Sequence, residues 1–338
     1  MRTLSRLLVL LAAGGLLAIG TLLWARGELY RPADNTQPAD FNVPAGTSLR
    51  GALQLASTAA VLRYPRVLEW YARWRQPGAG PKAGHYRVDA HATPLQLLEQ
   101  LQQGRVVLEQ LTVVEGWTFG QMRRELAGNA ALAHDWAPLS EAEVMQRLGQ
   151  AGQKAEGRFF PDSYRFAAGT SDSEIYQQAW QRMERELATA WQGRDPTLPL
   201  RTAGELLIFA SIVERETGRE DERGKVAAVF ANRLRKGMRL QSDPTVIYGL
   251  GARYDGDIRS RDLIADTPYN TYTRTGLPPT PIALPGAAAL RAAAQPDAST
   301  ALYFVASGSG DGRHVFSETL AQHSAAVKRL VARTRRRN

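Results

Sequence analysis

The run "LLVLLAAGGLLAIGTLLW", Leu7 to Trp24, is about 18 residues without a charge, and it constrains this chain more than any other feature. At about 1.5 Å per residue, a helix of that length crosses most of the roughly 30 Å hydrocarbon core of a bilayer. The run exceeds the apolar region of a cleavable signal peptide and ends in "LLWARGELY" rather than in small residues, so an uncleaved signal anchor over residues 7–25 is expected. Arg26 and Arg31 behind the run weaken the positive-inside bias carried by Arg2 and Arg6. The short tail, residues 1–6, then sets the orientation: it stays in the cytoplasm and the rest is exported. The expected location is the cell inner (cytoplasmic) membrane, crossed once, with the bulk of the chain facing the periplasmic or extracytoplasmic side.

The remainder is rich enough in apolar residues, at 44% of a 338-residue chain, to build one large or two modest domains. Cysteine is absent, which excludes disulfide frameworks, zinc ribbons, thiol nucleophiles and a lipidated N-terminal cysteine. A formal net charge of +9 points to anionic partners or simply to solvated basic faces. No basic stretch is interleaved with aromatics, so nucleic acid is not an expected partner, and "RTRRRN" at the end reads as a soluble tail.

Residues 26–40, which include the polar, proline-containing "GELYRPADNTQPAD", read as a linker. A weak repeat follows. "VPAGTSLRGAL", "VDAHATPLQLLEQL" and "VEGWTFGQMRREL" each place a short strand before Ser48, Thr93 or Thr118 and then an apolar helical pattern, which makes the hydroxyls N-caps. Between the first two lie an aromatic-rich helical segment, "VLRYPRVLEWYARWRQPG", and a strand, "KAGHYRV". This strand, helix, helix and returning strand over 41–108 resemble the LysM modules that bind N-acetylated sugars; a generic α+β spacer accounts for the same pattern. Trp70, Tyr71 and Trp74 suit a sugar platform, although aromatics at helical spacing more commonly belong to a core. From 109 to 338 the chain is mainly helical, closing with a hairpin, "LYFVASGSGDGRHVFS", and an amphipathic helix from Glu318. The expected fold class is α+β: a single N-terminal transmembrane helix, a small LysM-like α+β module and a larger, mainly helical α+β catalytic domain.

Chemistry concentrates in "ELLIFASIVERETG", Glu205 to Gly218. On a helix turning about 100° per residue, apolar side chains crowd most of the circumference, and Ser211 with Arg215 mark a polar side. Glu214 and Glu216 fall between apolar neighbours, about 160° apart around the axis. Two carboxylates so placed cannot face each other across one glycosidic bond, so one acid at most belongs to the site. A lone carboxyl at the end of an apolar helix suits proton transfer, because burial disfavours its charged form. An ion pair with Arg215, Arg219 or Arg223 is the bland reading. The helical wheel does not choose between the two acids.

The order and spacing of "ASIVERET", "VAAVFANRL", "MRLQSDPTVIYG" and "YNTYTRTGLPPTPI" resemble the YceG-like family, the endolytic murein transglycosylases. The resemblance implies a membrane-anchored enzyme that cuts the β-1,4 bond between N-acetylmuramic acid and N-acetylglucosamine within nascent glycan strands, without water. In the family's pattern the catalytic acid is the first glutamate, which maps onto Glu214. It would protonate the leaving oxygen and then, as a carboxylate, take the proton of the muramic C6 hydroxyl as the 1,6-anhydro ring closes. Glu216 then becomes a supporting group and Arg215 a surface residue. In "LQSDPTVIYG", Asp243 before Pro244 reads as a helix N-cap, and Gln241, Ser242, Asp243, Thr245 and Tyr248 are candidates for binding the glycan. Asn270 and Tyr272 of "YNTY" would hydrogen-bond its N-acetyl and hydroxyl groups. The chain departs from the family at Thr280, where glycine is usual and a substituent narrows the loop. The resemblance implies peptidoglycan strands as substrate, peptidoglycan synthases as partners, and termination of strand elongation.

No cofactor and no metal are expected: none of His85, His91, His134, His314 and His323 stands four residues from another, and no H-E-x-x-H occurs. No G-x-S-x-G surrounds Ser211, which argues against a serine hydrolase. Two other readings remain open: a membrane-tethered wall-binding scaffold that cuts nothing, and a muramidase that uses water.

Overall fold

The computed structural model describes residues 2–44, 46–76, 78 and 80–337. The fold is mixed α+β with small sheets, and the chain divides into two units, Met1–Gln110 with Arg165–Thr170, and Leu111–Tyr164 with Ser171–Asn338.

The first unit begins with α1 (Arg2–Tyr30). Its segment Val9–Tyr30, of mean hydropathy 1.7, is long and apolar enough to cross a membrane. The helix does not stop at residue 25. It runs to Tyr30, where the following Arg31-Pro32 disfavours further helix, and Leu29 is buried in the module's core. The stretch that reads as a linker thus contributes a helical end and a core residue. β1 (Ala39–Val43), α2 (Leu49–Thr58), α3 (Pro65–Arg75), β2 (Gly84–Val88) and α4 (Pro94–Gln103) follow. β1 and β2 pair antiparallel from Ala39 opposite Val88 to Val43 opposite Gly84. Ser48 and Thr93 cap α2 and α4 as their positions predict, Thr93 in a reciprocal box with Gln96. Trp70 and Trp74 are not core residues: they are 58% and 69% exposed. The buried stripe of α3 is Leu68, Glu69 and Ala72, which leaves the two tryptophans, one turn apart, on the open face.

After β3 (Leu108–Thr112), the second unit contains α5 (Phe119–Gly128), α6 (Glu141–Arg147), β4 (Ser163–Ala167, leaving this unit after Tyr164), α7 (Asp172–Gln192), α8 (Ala203–Glu216) and α9 (Glu220–Arg235). Then come α10 (Asp243–Leu250), α11 (Ser260–Ile264), α12 (Ala287–Ala294), the antiparallel hairpin β5 (Tyr303–Ala306) with β6 (His314–Ser317), and α13 (Leu320–Arg337). Thr118 caps α5 in a box with Gln121. α8 is the centre of this unit. Thr202 caps it by accepting from Glu205 N–H at 3.1 Å, and Leu206, Leu207, Phe209, Ala210, Ile212 and Val213 are all buried. Two alanines of α12, Ala293 and Ala294, are buried in the same core and carry too little side chain to hold the two helices apart. Ser211 does not mark a polar side. It is fully buried, donating to Ile208 C=O at 2.7 Å and accepting from Ile282 N–H at 3.0 Å, so its hydroxyl ties the 280–286 segment to α8.

Candidate active site

The last turn of α8 carries both glutamates, and the fold gives them different neighbours. Glu214 Oε2 accepts from Gly286 N–H at 2.9 Å, and its Oε1 lies 3.7 Å from the Arg223 guanidinium of α9. Burial raises its pKa above the usual carboxylate range, against the Gly286 amide and Arg223, which favour the anion, while Glu115 adds a like charge and Arg215 a weaker opposite one. Arg215, read from sequence as a surface residue, is exposed but donates to Gly116 C=O at 3.2 Å.

Glu115 reaches this place through a backbone clamp. Gly116 N–H donates to Leu284 C=O at 2.9 Å and Leu284 N–H returns a bond to Trp117 C=O at 2.7 Å. The clamp holds the turn at Gly116, whose φ is +77°, against the 283–286 segment. Any side chain at position 286 would collide with the Glu115 carboxylate, which therefore lies over the residue whose amide binds Glu214.

Glu216 faces the other way. Ser242 Oγ donates to its Oε2 at 2.8 Å. Burial lifts its pKa to about 7, with the Ser242 bond lowering it, Asp243 raising it and Arg233 lowering it. The segment at 241–245 is knitted to the 270–272 turn: Gln241 N–H donates to Thr271 C=O, Ser242 N–H to Thr271 Oγ1, and Thr245 Oγ1 lies 2.9 Å from Thr271 Oγ1. Asp243 is not the cap of α10. Ser242 holds the cap position and Asp243 is the first helical residue, where its carboxylate accepts from Tyr272 O–H at 2.6 Å.

The residues expected to bind glycan therefore have internal partners. Gln241 sits at φ +52° with its amide oxygen 3.4 Å from Arg233, and Ser242 and Thr245 are fully buried. Asn270 is 1% exposed; its amide donates to the carbonyls of Asp262, Leu263 and Ala265 and its oxygen accepts from Tyr272 N–H, so it braces the loop around α11. Of the set, Gln241, Asp243, Tyr248 and Tyr272 remain part-exposed or exposed.

Glu156 is the residue that sequence reasoning missed. It is 8% exposed, accepts from Phe119 N–H at 2.9 Å and from Tyr248 O–H at 3.1 Å, and burial lifts its pKa to about 7. It lines a cleft of about 300 Å³ that Thr280 also borders. The available signal was a Glu-Gly pair ahead of aromatic residues, which occurs as "EGWTF" at Glu115 and as "EGRFF" at Glu156. Both glycines have left-handed φ, +77° and +80°, and Phe119 and Phe159 stack at 5.0 Å.

Residues 41–329 match the YceG-like family. The chain is 28% identical over 332 residues to the endolytic murein transglycosylase of Bacillus subtilis strain 168, covering 93% of this chain and 91% of that protein. It is 26% identical over 353 residues to the endolytic murein transglycosylase of Streptococcus pneumoniae strain D39, covering 95% of this chain but 63% of that longer protein. A crystal structure of a YceG-like protein from Listeria monocytogenes superposes with a TM-score of 0.53 at 27% identity, over 86% of this chain and 99% of that one.

Proposed function

The chain belongs to the YceG-like family, and from that membership we propose that it is an endolytic peptidoglycan transglycosylase, a lyase held at the cytoplasmic membrane by α1. The observation that carries the reading is Glu214: a raised, mostly buried carboxyl on the central helix, facing an amide and a guanidinium, in a chain whose relatives are named endolytic murein transglycosylases.

Glu214 is the acid and the base. As a carboxylic acid it protonates the glycosidic oxygen between N-acetylmuramic acid and N-acetylglucosamine while the C1–O bond breaks. The resulting carboxylate is favoured by the Gly286 N–H and Arg223, which lowers the cost of giving up the proton. It then removes the proton of the muramic C6 hydroxyl as that oxygen closes on C1, leaving a 1,6-anhydro end and a reprotonated Glu214. No water is consumed. Glu216 and the Ser242 and Asp243 segment support the last turn of α8 from its other side.

In this reading residues 1–6 are cytoplasmic, 7–25 anchor the chain, 26–40 link it to a LysM-like module over 41–108, and 109–338 are the catalytic domain outside the cytoplasm. Cuts within nascent strands terminate elongation beside peptidoglycan synthases. The test is to digest uncrosslinked glycan strands with the full chain in detergent and weigh the new ends. Anhydro ends support the proposal; ends heavier by one water mean a muramidase, and intact strands mean a binding or scaffold protein.

A further inference from the structure

The cleft at Glu156 has the chemistry of a sugar site and is joined to Glu214 by two short segments. Its carboxyl is the buried polar group, and Phe119, Tyr248 and Tyr269 supply aromatic surface, the two tyrosine rings meeting edge to face at 4.8 Å. Arg123 and Lys154 bring positive charge, the latter from an exposed position. Thr280 borders the cleft with its hydroxyl 2.9 Å from the Tyr269 hydroxyl. Aromatic rings that cover the C–H faces of a sugar, with a few carboxyl, hydroxyl and ammonium groups for its polar edges, are the usual composition of a site for a neutral carbohydrate.

The first joining segment is 280–286. Thr280 borders the cleft, Pro281 packs against Gly157, Ile282 bonds Ser211 and Gly286 bonds Glu214. The second is 116–119: a side chain at Gly116 would touch Glu214 Cγ at 3.9 Å, and Phe119 N–H donates to Glu156. Three residues of backbone span at most about 11 Å, so Gly116, beside Glu214, and Phe119, bonded to Glu156, lie within that reach of each other. An enzyme that cuts inside a strand must hold rings on both sides of the broken bond.

We propose that the Glu156 cleft is a sugar subsite flanking the cut, which seats one N-acetylhexosamine residue of the strand against Tyr269 and Tyr248 with its polar groups on Glu156 and Lys154. The proposal rests on the transglycosylase reading above and adds to it the place where the strand is gripped.

The experiment uses the full chain in detergent micelles. Cleavage of uncrosslinked strands is followed in wild type, Tyr269→Ala, Tyr269→Phe and Glu156→Gln, and binding of a β-1,4-linked N-acetylglucosamine hexamer is measured in the same four proteins carrying Glu214→Gln. Tyr269→Ala raises KM and weakens the hexamer about five- to tenfold with kcat within about twofold, while Tyr269→Phe, which keeps the ring, restores both. Glu156→Gln, isosteric and neutral, weakens the hexamer in the same direction. If wild type releases anhydro ends and neither Tyr269→Ala nor Glu156→Gln changes KM or hexamer binding by more than about twofold, the subsite is refuted and the parent reading stands. A wild type that neither cuts strands nor binds the hexamer overturns both.

Discussion

Glu216→Gln separates a supporting acid from a reacting one. In the folded protein burial lifts the Glu216 carboxyl from 4.5 to about 7. Between those values the folded chain retains a proton that the unfolded chain has released, so this group lowers stability as pH rises through the window and keeps it low above. At about 1.4 kcal/mol per tenfold, the full cost is about 3 kcal/mol once the carboxyl is ionised, and nothing below pH 4.5. Glutamine keeps the oxygen that accepts from Ser242 and never ionises. The variant should therefore melt with the wild type at pH 4.5 and about 6–12 °C above it at pH 8.5, for a unit of this size. The assay is thermal unfolding of the full chain in detergent at both pH values, with strand cleavage measured alongside; cleavage should stay within about threefold of wild type. Parallel melting at the two pH values would refute the burial argument. Loss of cleavage beyond about a hundredfold, with melting intact, would refute the supporting role.

Glu115→Gln removes the like charge beside Glu214, so the carboxyl loses its proton at lower pH and the alkaline limb of kcat/KM moves down. Activity should fall near that limb and hold at the acidic end of the profile, and a limb that stays or moves up contradicts the coupling. Asn270→Ala leaves three carbonyls and one amide without their partner and should cost about 3–4 kcal/mol, read by denaturant unfolding; a cost below about 1 kcal/mol means that the loop finds other donors. Gly157→Ala puts a methyl group into the Pro281 ring at a φ of +80°, and should cost about 2 kcal/mol or more with lower cleavage, since it displaces the segment that carries Gly286.

Local rules made much of the fold legible. The three hydroxyl caps, the closing hairpin and the apolar helix that carries the two acids stand where spacing puts them, because each depends on contacts within a few residues. Long-range partners were not legible. Ser211 reads as polar surface until Ile282 arrives to bond it, and the tryptophans of α3 read as core until Leu68 and Ala72 take the inner face. The same blindness applies at the site. Asn270 looks like a free amide, yet three backbone carbonyls from the preceding loop use it. Asp243 before a proline looks like a cap, and the residue ahead of it occupies that position. Glu115 stands just ahead of the Thr118 cap and Glu156 ahead of Phe159 and Phe160, and local spacing marks neither acid, although both precede a glycine of left-handed φ and an aromatic cluster.

The most direct test of the account is mass spectrometry of uncrosslinked glycan strands digested by the full chain, with wild type beside Glu214→Gln and Glu216→Gln. The account predicts 1,6-anhydro ends from wild type and from Glu216→Gln, and none from Glu214→Gln. Anhydro ends that persist in Glu214→Gln and vanish in Glu216→Gln would contradict it, because the acid would then be the one bonded to Ser242.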